Sequence, residues 1–260
     1  MRSFIRSIIL FFLSFNKKPS KSIHIVNGHF LSKSNNVNIK KFDKFVLNLS
    51  KLYRIISIDE AIKLIEDKEE IHFPTLSLTF DDGFLECYIK MLPILNKYNI
   101  KATFFINPDS IENFDNIILR EKFISNNLKV NYNKEFMTWS MLKKMVADGH
   151  SIGSHTMSHS NLSNINTENL FNQIVHSKIV IEKYLNIKCK YFAFPFGTNN
   201  YFNEEAIKMV TKYYDYGFTS ENYKNYFLYN NQKIINRRHF ECNWPIKHIN
   251  YFLSKKRIFN

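Results

Sequence analysis

Three short runs of this sequence carry side chains able to do chemistry: Asp81-Asp82-Gly83, His155-Thr156-Met157-Ser158-His159 and Phe194-Pro195-Phe196-Gly197. A spacing of four puts His155 and His159 on the same side of one helical turn, so both imidazoles can meet one ion. Asp82 would add an oxygen to their two nitrogens, the two-His, one-carboxylate set of open metal sites. Such a set leaves coordination positions for water and substrate, which a catalytic metal requires and a closed structural site does not. Each run also has a plainer use. Asp-Asp-Gly is a common turn, and a pair of surface histidines can cap a helix. Position argues for chemistry, because each run directly follows a stretch with strand character.

Those stretches are Thr75 to Phe80, Ser151 to Ser154 and Tyr191 to Phe194, and further strands are predicted over 23–26, 102–106 and 216–219. Helical spacing of apolar residues fills the intervals, over 42–52, 58–65, 85–98, 140–147, 168–185 and 203–213. Short strands alternating with helices imply a parallel α/β sheet, doubly wound or closed into a barrel. In either form the loops leaving the carboxyl ends of the strands share one rim, where residues distant in sequence converge. The stretch 108–136 fits no period and is rich in Asn and Lys, so it reads as an insertion or long loop over one face. No repeat or linker divides the chain.

Taken together the runs are far more specific. Thr79-Phe80-Asp81-Asp82-Gly83 resembles the TFDDG motif of the polysaccharide deacetylases, the NodB-homology group of carbohydrate esterase family 4. Gly149-His150-Ser151-Ile152-Gly153-Ser154-His155-Thr156-Met157-Ser158-His159 is similar to that family's GHxIGxHTxxH region, and Phe192-Ala193-Phe194-Pro195-Phe196-Gly197 to its FAYPYG block. The likeness covers residues 22–240 or so. It implies a distorted (β/α) barrel of about seven parallel strands. It also implies a hydrolase that removes N-acetyl groups from hexosamine units of an oligo- or polysaccharide. Carried over residue by residue, Asp81 becomes the general base. Asp82, His155 and His159 become ligands of a divalent metal, usually zinc, and Phe196 supplies a backbone N–H to the oxyanion. Removal of another acyl group, O-acetyl or N-formyl, and a non-catalytic carbohydrate-binding relative are the alternatives.

Two departures stand out. Many relatives carry in the third block an Arg that holds the base, and the matching position here is Ala193; the candidates to replace it are Arg237 or Arg238 on the last predicted strand, with Arg238 taken as the catalytic one. The late Leu-x-Leu-His motif, whose His protonates the leaving amine, has no clean match, and His239 is the best-placed substitute. His29, after the first strand, resembles the His of a Tyr-His pair common near the start of these proteins.

Composition bounds the rest. With 45 % hydrophobic and 23 % charged residues the chain can bury a sizeable core. The net charge of +13 suits an anionic partner, yet Arg-rich clusters and zinc-finger spacings are absent, so no nucleic-acid partner is expected. Cys87, Cys189 and Cys242 are too few and too scattered for a disulfide framework and read as buried thiols. Residues 1–21 form a basic and apolar segment ahead of a catalytic domain over 22–260. Within residues 1–18, Phe4, Ile5, Ile8, Phe11, Phe12 and Phe15 could line an interfacial helix in peripheral contact with a membrane, or a helix packed on the domain. The apolar run from Ile8 to Phe15 is too short to span a bilayer, and no cleavable signal peptide is evident. The expected location is therefore the cytoplasm or the membrane periphery.

Overall fold

A computed structural model describes residues 9–31, 39–112, 116–130, 134–229 and 231–259. Phe4, Ile5 and Ile8 of the N-terminal segment lie outside the described residues. Ten strands are present among those described: β1 (Ile23–Gly28), β2 (Arg54–Ile55), β3 (Thr75–Phe80), β4 (Thr103–Ile106), β5 (Ser151–Ser154), β6 (Tyr191–Ala193), β7 (Tyr216–Thr219), β8 (Phe227–Leu228), β9 (Asn231–Asn236) and β10 (Arg238–His239). Their order is β10-β1-β3-β4-β5-β6-β7-β9-β8, with β2 beside β3, and every pairing is parallel except β8 with β9. Only Arg237 separates β9 from β10. One continuous segment therefore begins against β7 and ends against β1, which curls the sheet into a distorted barrel. Taking that segment as one, seven parallel strands ring the barrel: β1, β3, β4, β5, β6, β7 and β9–β10.

Strand alternation divides the core in two. In β3, Leu76, Leu78 and Phe80 face the helical layer, where they join the larger apolar cluster with Phe42, Val46 and Leu142. The opposite faces of the strands fill the barrel with Ile23, Ile25, Phe105, Ala193, Phe218 and Ile235, and the helix Ile58–Glu66 adds Ile58 and Ile62 to this second cluster. That helix is the one expected over 58–65, capped by Ser57 accepting from the Glu60 N–H at 3.2 Å. Gly153 is required where β5 crosses the interior, because a Cβ there would stand 2.6 Å from the Phe105 ring and 2.8 Å from the Tyr191 carbonyl.

Two expectations need correction. The stretch 108–136 is not one long loop: it contains the helices Pro108–Glu112 and Ile117–Phe123 and a π-helical turn Ile124–Leu128. Its far end is bonded to the loop after β3, through Leu85 N to Glu135 O at 2.7 Å and Met137 N to Gly83 O at 2.9 Å. Local caps and packing made these short helices where no long apolar period exists, as with Asn116, which caps the second by accepting from Leu119 N–H. The helices expected over 85–98 and 168–185 are each interrupted by a π-helical turn, at Cys87–Met91 and Asn172–His176.

Candidate active site

β3 and β5 each end by delivering a polar turn to the same rim. After β3, Asp81 N–H continues the ladder to Gly28 O at 2.9 Å, and Asp82 then turns left-handed with φ 72°. After β5, His155 N–H bonds Ile106 O at 2.8 Å, and Thr156 and His159 adopt φ 67° and 56°. The two histidines are thus not one turn of helix, as their spacing suggests, but the ends of a tight turn containing two left-handed residues. A β-branched residue at positive φ is a true outlier. Asp82, Thr156, His159 and Phe196 (φ 61°) all carry this strain around one rim, where strain of this kind concentrates at working sites.

The turns bring three ligand atoms together. His155 Nε2 and His159 Nε2 each stand 3.6 Å from Asp82 Oδ1. All three atoms lie within 4.8 Å of one another in a buried setting. The far nitrogens fix the tautomers: His155 Nδ1–H donates to Ala193 O at 2.8 Å and His159 Nδ1–H to Asn127 O at 3.1 Å, leaving both Nε2 lone pairs aimed inward. Burial pushes the His155 pKa down to about 4, against the pull of Asp81, and burial with the neighbouring His155 pushes His159 down to about 3. Both are neutral donors at ordinary pH. Burial and the adjacent Asp81 charge raise the Asp82 pKa well above its usual value, and its Oδ1 has no hydrogen-bond donor in the structure. A desolvated carboxylate oxygen facing two imidazole lone pairs is a donor set that fits a divalent ion.

Asp81 is held differently. Arg237 forks onto it, Nη1 to Oδ1 and Nη2 to Oδ2, both at 2.9 Å, and Asn27 Nδ2 donates to Oδ2 at 3.3 Å. Burial alone would raise the Asp81 pKa. The Arg237 guanidinium outweighs it, aided by His155 and His29, and keeps the carboxyl well below the usual carboxylate range. Arg237 is itself 1 % exposed, donates to Thr79 Oγ1 at 2.8 Å and lies over the rings of Phe105 and Phe218. Selection of Arg238 is therefore corrected. Arg238 pairs in register with outward-facing Val26, and its guanidinium lies 4.5 Å from the centre of the Phe252 ring. Asn27 and Asn107 were missed by sequence reasoning. Asn107 Nδ2 donates to the carbonyls of His155 and Thr156 and so fixes the strained turn.

Above these groups a cavity of about 390 Å³ opens, lined by Asp81, Asp82, His155, His159 and Arg237, and also by His29, Phe196, His239 and Glu241. Phe196 packs edge-on against His159, ring centres 4.7 Å apart. His239 Nε2 stands 3.1 Å from Glu241 Oε1, and the His239 and His29 rings are 5.4 Å apart. Burial lowers the His29 pKa to about 4, although Asp81 opposes the shift. Leu128 and Val130, from the segment after β4, form part of the wall.

A family model for polysaccharide deacetylases matches residues 68–217, which include the three runs. The chain belongs to the polysaccharide deacetylase family. Its polypeptide is 32 % identical over 123 residues to a peptidoglycan-N-acetylglucosamine deacetylase of Bacillus cereus, a match covering 47 % of this chain and 36 % of that relative. The alignment thus spans about a third of the relative's length. Among solved structures, this deacetylase-family chain superposes on the Streptococcus pyogenes deacetylase PplD in complex with acetate, with TM-score 0.67 and 22 % identity over 92 % of this chain and 97 % of that one. IcaB from Ammonifex degensii gives TM-score 0.69 at 17 % identity, over 92 % and 100 %. Both share the fold.

Proposed function

We propose that the protein is a metal-dependent hydrolase that removes N-acetyl groups from hexosamine units of an oligo- or polysaccharide, releasing acetate and a free amine. The observation that carries this reading is the contrast between adjacent aspartates on one cavity floor. Asp81 is locked as a carboxylate by Arg237, while Asp82 faces His155 and His159 with an oxygen that has no donor. A divalent ion such as zinc, held by Asp82, His155 and His159, would polarise the acetyl carbonyl and acidify the attacking water. Asp81 takes the water proton as general base, its orientation fixed by Arg237 and Asn27. The Phe196 backbone N–H is the donor to the developing oxyanion, on the same rim as His159. His239, oriented by Glu241, gives a proton to the leaving amine. His29 is the poorer donor, since burial keeps it neutral. The Arg whose absence from the third block would favour a non-catalytic relative has a counterpart in Arg237. N-acetylation as the target also accords with the relative that acts on N-acetylglucosamine of peptidoglycan.

The test is acetate release from N-acetylglucosamine oligomers by the zinc-loaded protein, with formylated and O-acetylated sugars assayed in parallel. Asp81→Asn is expected to lose at least a thousandfold in turnover, about 4 kcal/mol, while keeping its metal. If the wild type releases no acid from any of these substrates, or Asp81→Asn works at its rate, the reading fails.

A further inference from the structure

Residues 9–13, all apolar, form a short stretch of helix that leaves its side chains exposed except for the half-buried Leu10. Ser14, at its end, is 2 % exposed, whereas Ile9, Phe11, Phe12, Leu13 and Phe15 are 46–72 % exposed. A helix that stabilises a domain by packing on it buries its apolar face and shows its polar one. Here the serine faces the protein and the phenylalanines face outward.

The surroundings are as one-sided in charge. Residues 1–22 and 242–260 hold nine Lys and Arg and no Asp or Glu, leaving 27 basic residues against 23 acidic in the remainder. The two segments touch: Lys247 Nζ lies 3.3 Å from the centre of the Phe11 ring, Ser20 N–H bonds Leu253 O at 2.8 Å, and Ser20 Oγ donates to Lys255 O at 3.0 Å. Lys17, Lys18, Lys21, Lys255 and Lys256 are all exposed. Six lysines, Lys17, Lys18, Lys21, Lys247, Lys255 and Lys256, thus stand on two touching segments that carry no acidic residue and bear the outward phenylalanines.

We infer that this surface docks on an anionic lipid bilayer, with Phe11, Phe12 and Phe15 entering the interface and the lysines resting on the headgroups. Two contributions act together there. Aromatic and apolar side chains leave water for the acyl boundary. Each lysine brought within a Debye length of an anionic leaflet strengthens binding about fivefold. The inference rests on surface composition and burial, not on the proposed reaction.

Vesicle co-sedimentation of the whole chain tests it, using phosphatidylcholine vesicles with and without about a third phosphatidylglycerol. Wild type should bind the anionic vesicles at least tenfold more tightly than the neutral ones, and high salt should abolish the difference. Phe11→Ser/Phe12→Ser/Phe15→Ser should lose binding, and Lys17→Gln/Lys18→Gln/Lys21→Gln should weaken it tenfold or more. Both variants should keep the circular dichroism and the metal content of the wild type, because the changed side chains are exposed. Equal affinity for both vesicle types, or serine-variant binding at the wild-type level, overturns the proposal. So does a wild-type dimer that ignores vesicles and becomes monomeric in the serine variant, which would show that a second copy covers the face.

Discussion

Asp81 and Asp82 share a peptide bond but not an environment. The left-handed Asp82 backbone sends the two side chains apart, one to a buried guanidinium and the other to two neutral imidazoles. That divergence would let one carboxylate act as the proposed base while its neighbour serves as the proposed ligand. Arg237→Ala should lower turnover by about ten- to a thousandfold, or about 1.4 to 4 kcal/mol of transition-state stabilisation, with zinc content near wild type. It should also cost about 3–5 kcal/mol of stability, because Asp81 is left buried and unpaired. Arg237→Lys should recover part of the stability but less of the turnover, since one ammonium cannot reproduce the fork. Arg238→Ala should remain near wild type in turnover. Rates measured on the folded fraction, beside metal analysis, decide this, and equal rates for all three variants would mean that Asp81 is positioned by something else. Chelation should abolish acetate release and lower the thermal midpoint, and added zinc should restore both.

At the scale of elements, the segment after β4 couples the two halves of the site. One part supplies Asn127 O to His159, and its end is bonded to the loop that carries the aspartates. Lys134 fastens that end. It is 3 % exposed, lies 3.2 Å from Glu86 Oε1, and that same oxygen accepts from Leu31 N–H. Lys134→Met should destabilise the protein by about 3–5 kcal/mol, since Glu86 then carries an unpaired buried charge. Lys134→Met/Glu86→Gln should recover much of the loss, because glutamine keeps an acceptor for Leu31 without the charge. Urea unfolding of the two variants measures the difference, and an equal loss in both would show that packing rather than charge fastens the segment.

Across the whole molecule, burial holds five histidines neutral: His24 and His159 are lowered to about 3, and His29, His150 and His155 to about 4. Their folded pKa values lie below the unfolded value of about 6.5, so between those limits the unfolded chain binds more protons. The stability they contribute is fully present above about pH 6.5 and is lost as pH falls towards the folded values. Each can contribute a slope of up to about 1.4 kcal/mol per pH unit in that window. The urea midpoint of the metal-free protein should therefore drop steeply from pH 7 to pH 4.5, and bound zinc should steepen the drop by excluding protons from His155 and His159. A flat profile would mean that these histidines titrate alike in both states.

The alternation of strands and helices, the three runs at strand ends and the ligand trio were legible in the sequence, because strand periodicity and turn chemistry are local. The choice between the arginines was nearly so. Neighbouring residues on a strand face opposite ways, so Arg238 and His239 could not both enter the cavity, and His239 shares its face with Arg237. What only the tertiary structure decided is which face that is. It depends on the segment from β9 to β10 crossing from β7 to β1, a pairing between residues about two hundred positions apart. Tertiary contact also decided the turn between His155 and His159. Spacing suggests a helix, but the Asn107 side chain holds the His155 and Thr156 carbonyls and the Asn127 carbonyl holds the His159 ring, so distant groups override the local preference. Motif spacing at strand ends specified which groups could meet an ion, and long-range register specified which arginine forks onto Asp81.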